Sequence, residues 1–77
     1  MTDEMTYGQK AVGLTFNPSG DPHVAEFKRY YAEIIDLCAA GREAAGSPER
    51  KRLFSIAITE AQGAQMWAVK AATWRDD

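Results

Sequence analysis

Apolar and polar positions alternate along this chain with a helical period. After Asp21, the residues Val24, Phe27, Tyr31, Ile34 and Cys38 recur at alternating steps of three and four, flanked by Ile35 and Leu37. That stripe predicts an amphipathic helix of about five turns. A second periodic segment opens at Pro48 and carries Leu53, Phe54, Ile56, Ala57, Ile58, Ala61, Ala64, Met66, Trp67, Val69 and Ala71, with no proline to interrupt it. Both helices start in the same way. Asp21-Pro22 and Ser47-Pro48 each set an N-capping side chain before a proline at the first helical position. Glycine at Ala40-Gly41 is the expected left-handed stop for the first helix, and the short polar stretch up to Ser47 reads as the turn of a hairpin. Residues 2–11 fit a short leading helix, and 12–20, VGLTFNPSG, a loop. The expectation is one all-α domain over 1–77, an antiparallel helical hairpin. Its parts are a short N-terminal helix and loop (1–20), a first long helix (21–41) and a second (47–75).

The apolar positions of the second helix cover much of its circumference, more than one neighbouring helix can bury. Size sharpens the point. A chain of 77 residues hides only about 60% of the surface its unfolded form exposes, and small domains are usually rescued by disulfides, metal or self-association. Cys38 is the sole cysteine and His23 the sole histidine, so neither a disulfide nor a four-ligand zinc site forms within one chain. Oligomerisation is left, with 45% hydrophobic residues to drive it. Gly63, mid-helix at a cost of about 1 kcal/mol against alanine, is expected to admit another backbone.

Charge and sorting signals narrow the function classes. The segment MTDEMTYGQK is acidic and polar, unlike a signal or transit peptide. No apolar run approaches the roughly 18 residues that span a bilayer. A lone cysteine suits a reducing compartment, so a cytoplasmic protein is expected, with no membrane partner. A net charge of −2 argues against a DNA or RNA polymer held on a basic face.

Candidate chemistry is sparse. No phosphate-binding glycine loop and no dinucleotide fingerprint is present. Glu26, Glu33 and Asp36 fall on the polar side of the first helix, as solvated carboxylates do. Cys38 and His23, fifteen residues apart, would stand about 22 Å apart on one helix, too far to act as a thiol–imidazole pair. Catalysis, metals and cofactors are not expected. His23 reads as a solvent-facing first-turn residue, and Met66 and Trp67 as core, with Trp67 and Trp74 on one packing seam. The segment Phe16-Asn17-Pro18-Ser19-Gly20 reads in two ways. It is a turn initiated by Asn-Pro, with Phe16 a hydrophobic staple. It also reads, second to that turn, as a ligand loop, in which Phe16 stacks on a base, Asn17 and Ser19 offer hydrogen bonds, and helix amides receive a phosphate. Lys28 is either a solvated lysine with its stem laid on the surface or a phosphate contact among aromatics. Lys70 interrupts the apolar run of the second helix and calls for an anion near a subunit interface.

The string Phe16-Asn17-Pro18-Ser19-Gly20-Asp21-Pro22, the following Phe27-Lys28 and the late Met66-Trp67-Ala68-Val69-Lys70-Ala71 resemble a phage hairpin domain. It is shared by the anti-CBASS cyclic-nucleotide sponges and a class of Thoeris anti-defence proteins, and the resemblance covers residues 14–74. It implies a compact homo-oligomer, a hexamer of interlocked dimers, that sequesters cyclic oligonucleotide messengers without cleaving them. Cyclic dinucleotides such as 3′,3′-cGAMP would sit at dimer interfaces, and in some members cyclic trinucleotides at separate sites. Lys28 matches the phosphate-contacting lysine of the family, and Phe16 is the nearest equivalent of its base-stacking aromatic, with Tyr7 the alternative. Tyr30 and Lys70 stand where members carry a small hydroxyl residue and an arginine, differences that weigh against trinucleotide binding. Two other readings compete: a helical oligomeric adaptor that binds a host protein through its second helix and, more weakly, a nucleotide-processing enzyme.

Overall fold

The computed structural model describes residues 4–76. Three helices follow one another: α1 (Tyr7–Val12), α2 (Pro22–Ala44) and α3 (Pro48–Ala72), with no strand among the described residues. Each N-terminus is capped by chemistry written in the sequence. Asp21 accepts from the His23 amide and Ser47 from the Arg50 amide, each just ahead of a proline. Thr6 and Gln9 form a reciprocal capping box at α1, with the Gln9 amide donating to Thr6 Oγ1 at 3.1 Å and the Thr6 amide to Gln9 Oε1 at 2.9 Å.

The long helices run antiparallel. At the hairpin end Arg42 donates to Ser55 Oγ at 3.1 Å, while at the far end α3 residues share a groove with the loop that precedes α2. α1 lies back along α2, anchored where the Gly8 amide donates to Asp36 Oδ1 at 2.7 Å. The core is small: Val12, Ala32, Ile35 and Ile58 are buried together, with Leu14, Tyr31, Cys38 and Ala61 packed around them. The Cα envelope measures 49 × 36 × 12 Å, a single layer of helices. A layer has two faces and one chain covers neither fully, so Leu37 (74% exposed), Trp67 (71%) and Met66 (64%) stand in the open.

Several sequence expectations need correction. α1 begins at Tyr7, where the Thr6 cap sets it, and ends at Val12, which is helical rather than part of the loop. Residues 2 and 3 of the expected leading helix lie outside the described residues. The first long helix does not stop at Gly41. It continues to Ala44, and the left-handed glycines are Gly13 and Gly20 instead. Gly41 is there for packing: a Cβ on it would meet Phe54 Cζ at 2.5 Å, so the missing side chain is the seat of an α3 ring. α3 ends at Ala72, short of the expected bound at residue 75, where the Thr73 hydroxyl folds back on the Val69 carbonyl at 2.9 Å. The buried face of α2 is rotated from the expected stripe to Val24, Lys28, Ala32 and Ile35, leaving Phe27 and Ile34 outside. Nor are Met66 and Trp67 core. Asp36, assigned to a solvated face, is half-buried and engaged by α1. No helix among the described residues is long and apolar enough to cross a membrane.

Candidate ligand-binding groove

The loop between α1 and α2 is built around its polar side chains. Gly13 ends α1 at φ +64°, a conformation that favours glycine. The Phe16 amide then returns to the Gly13 carbonyl at 2.9 Å. Asn17 ties the far side: its Nδ2 donates to the Asp21 carbonyl at 3.0 Å, and its Oδ1 accepts from Ser19 Oγ at 2.9 Å. Ser19 Oγ in turn accepts from the Asp21 amide at 3.1 Å. The turn reading of this segment therefore holds in full for Asn17 and Ser19. It fails for Phe16, which is no buried staple but 70% exposed.

These turns aim two carbonyls at one cation. Lys28 is 6% exposed, and its Nζ donates to the Gly13 carbonyl at 2.9 Å and to the Phe16 carbonyl. The same ammonium lies 5.4 Å from the centroid of the Phe16 ring, within cation–π range. An ammonium has three donors, of which the loop engages two.

Lys28 and Phe16 border a cavity of about 730 Å³, within the roughly 300–1,000 Å³ range of small-molecule sites. One wall is the end of α1 (Lys10 to Gly13), another the loop (Phe16 to Ser19). Val24 and Lys28 of α2 and Gln62, Gln65, Met66, Val69 and Thr73 of α3 complete it. Its charged lining residues are two lysines, Lys10 and Lys28, and no carboxylate, although the whole chain carries −2. A flat aromatic, a fixed ammonium, amide side chains and apolar walls are what a nucleotide needs: a stacking surface, a phosphate partner and edge donors.

The structure thus brings Phe16, Asn17, Ser19 and Lys28 to one groove and leaves three other candidates outside it. Tyr7 sits at the opposite end of α1 with the Arg42 guanidinium 5.9 Å from its ring centroid. Tyr30 is half-exposed on the outer side of α2 beneath Arg29, at 4.4 Å. Lys70 lies over Trp67 at 5.6 Å. His23 is exposed at the start of α2, 3.7 Å from Glu26. Sequence reasoning did not single out Lys10, Gln62 or Gln65, and took Met66 for core. A signal existed for the glutamines: they stand three apart, polar, within the apolar run of α3.

Compared with known protein families, residues 9–73 match the family described as Acb2/Tad1, hairpin domain. No curated protein and no solved structure matches the chain.

Proposed function

This chain belongs to the Acb2/Tad1 hairpin family, and from that premise we propose that it is a phage anti-defence protein that sequesters cyclic oligonucleotide messengers in the Phe16–Lys28 groove. It binds without cleaving, in the bacterial cytoplasm during infection, and so lowers the free messenger on which CBASS-type immunity depends. The observation that carries this reading is Lys28, buried beneath an exposed aromatic ring and held by backbone carbonyls in a groove lined by no acid. The groove favours a cyclic dinucleotide such as 3′,3′-cGAMP, because Tyr30 and Lys70, the positions linked by resemblance to trinucleotides, lie outside it.

The working form in this reading is a homo-oligomer, a hexamer. A two-fold ligand suits a two-fold interface, where each copy offers the same ring and the same lysine. The single-layer shape and the open Leu37, Leu53, Trp67 and Trp74 side chains support self-association. Of these, Leu53 and Trp67 favour one second reading, a helical adaptor that grips a host protein through α3.

Calorimetric titration with cyclic di- and trinucleotides, followed by denaturation and chromatography of the bound fraction, tests the proposal. The expected result is tight dinucleotide binding, the messenger recovered intact, and affinity reduced at least about tenfold in Phe16→Ala and Lys28→Met. Bound ligand should also raise the melting temperature by mass action. Recovery of hydrolysed ligand would make the protein an enzyme. An absence of heat with every nucleotide would leave the adaptor.

A further inference from the structure

Within the groove, one buried polar side chain is left without a partner. Gln65, on α3, is 5% exposed, and its amide makes no hydrogen bond to any described residue. Burying an amide without compensation is unfavourable, so such groups are normally paired. Gln65 escapes that cost in a specific way. No buried side-chain nitrogen or oxygen is sealed off unsatisfied, and Gln65 lines the cavity, so its amide opens into the groove. The fold has placed a donor and an acceptor, side by side and buried, in the floor of a site whose other polar side chains are exposed or only partly buried, Lys28 apart.

We infer that Gln65 is the specificity-determining residue of the groove, reading the major-groove edge of a bound base and favouring adenine over guanine. This rests on the nucleotide-binding reading above. A primary amide pairs in a bidentate manner with an edge that sets a donor beside an acceptor. Adenine offers that arrangement at N6 and N7, on its major-groove edge. Guanine presents two acceptors, O6 and N7, on the corresponding major-groove edge, where the amide oxygen would face a lone pair. The division of labour follows from the parts. Phe16 supplies a stacking face that tolerates any base, Lys28 a charge that any phosphate satisfies, and Gln65 the contact that depends on base identity. Gln62, one turn earlier on the same side of α3, widens the polar floor without being buried as Gln65 is.

The test compares wild type with Gln65→Leu, a change of similar volume that removes the amide, using three ligands in calorimetry. They are cyclic di-AMP, cyclic di-GMP and the cyclic dinucleotide of purine riboside, which lacks only the 6-amino group of adenine. Wild type should bind cyclic di-AMP at least about tenfold more tightly than either of the others. In Gln65→Leu the three affinities should converge, since stacking and the lysine contact remain. Equal discrimination by both proteins, or none by wild type, would overturn the assignment. If Gln65→Leu does not fold, the purine riboside comparison on wild type decides alone, because only the ligand changes. Wild type binding none of the three, nor any member of the wider cyclic di- and trinucleotide panel, would sink the nucleotide reading itself, an outcome distinct from binding without discrimination, which removes only the role of Gln65.

Discussion

Replacing Gly8 by alanine tests how α1 is docked, and through it how the groove is held. A methyl at Gly8 would collide with the Ala32 carbonyl oxygen, stand 3.0 Å from the Ala32 carbonyl carbon and 2.8 Å from Asp36 Oδ1. The obstacle is helix backbone and cannot swing aside, so α1 has to retreat by about 1 Å to restore ordinary contact distances. That retreat breaks the 2.7 Å bond from the Gly8 amide to Asp36, about 1.5–3 kcal/mol for a bond to a charged group. Loosened packing around Val12 adds about 1 kcal/mol or more. Against this, alanine in a helix gains about 1 kcal/mol over glycine. The balance is a loss of about 2 kcal/mol, which for a domain of this size lowers the melting point by about 8–16 °C. Thermal melts at one fixed protein concentration would read it. Ligand affinity should fall as well, because α1 ends in the Gly13 carbonyl that holds Lys28. A melting temperature equal to or above wild type, as helix propensity alone requires, would refute the close docking of α1 on α2.

Two further changes probe the assembly and the pH response. Gly63 meets nothing within 4 Å inside one chain, so Gly63→Ala should gain about 1 kcal/mol from helix propensity unless another copy packs there; self-association through α3 predicts a lower melting point and a smaller particle by light scattering. Arg52 donates to both Glu49 oxygens, at 3.0 and 2.7 Å, and holds the Glu49 carboxyl below its usual value of 4.5. A depressed carboxylate contributes stability above its unfolded pKa and loses it as the pH falls through the folded one, so Glu49→Gln should melt slightly below wild type at neutral pH and together with it in strong acid.

The architecture was legible where local chemistry decides it. Asp21-Pro22 and Ser47-Pro48 mark helix starts because capping oxygens and proline act on their own neighbours. Helix ends were less legible, since they answer to tertiary contacts. Gly41 has the composition of a stop signal, but the Phe54 ring over it turns the missing side chain into a packing device. The rotated core face of α2 has the same origin. Lys28 occupies a buried position that periodicity reserves for apolar residues, and only the carbonyls of the preceding loop make that tolerable. Within the groove, Phe16 and Lys28 could be picked out from residue type and neighbourhood. For Gln65 the sequence offers only a polar residue in the apolar run of α3; what singles it out is burial without a partner, a property of the folded state that no spacing encodes.

Under the proposed function an acidic chain has to hold an anion, and the partners of Lys28 bear on how. Buried lysines are usually paired with carboxylates, and an incoming phosphate must then compete for a charge already neutralised. Lys28 is satisfied by carbonyl dipoles instead, which fix the ammonium without cancelling it. The negative charge of α2 is kept apart: Glu26 and Glu33 are exposed and absent from the groove lining. The arrangement has a structural cost. The bonds that hold the cation are the bonds that close the loop, so removing Lys28 weakens fold and binding together. Phe16 is different. Its side chain is exposed, with its ring over Lys28, so truncating it leaves the loop bonds in place and removes the stacking face. A loss of affinity in Phe16→Ala at unchanged melting temperature is therefore the cleaner sign that this groove binds a base, and Lys28→Met acquires meaning for binding only beside it.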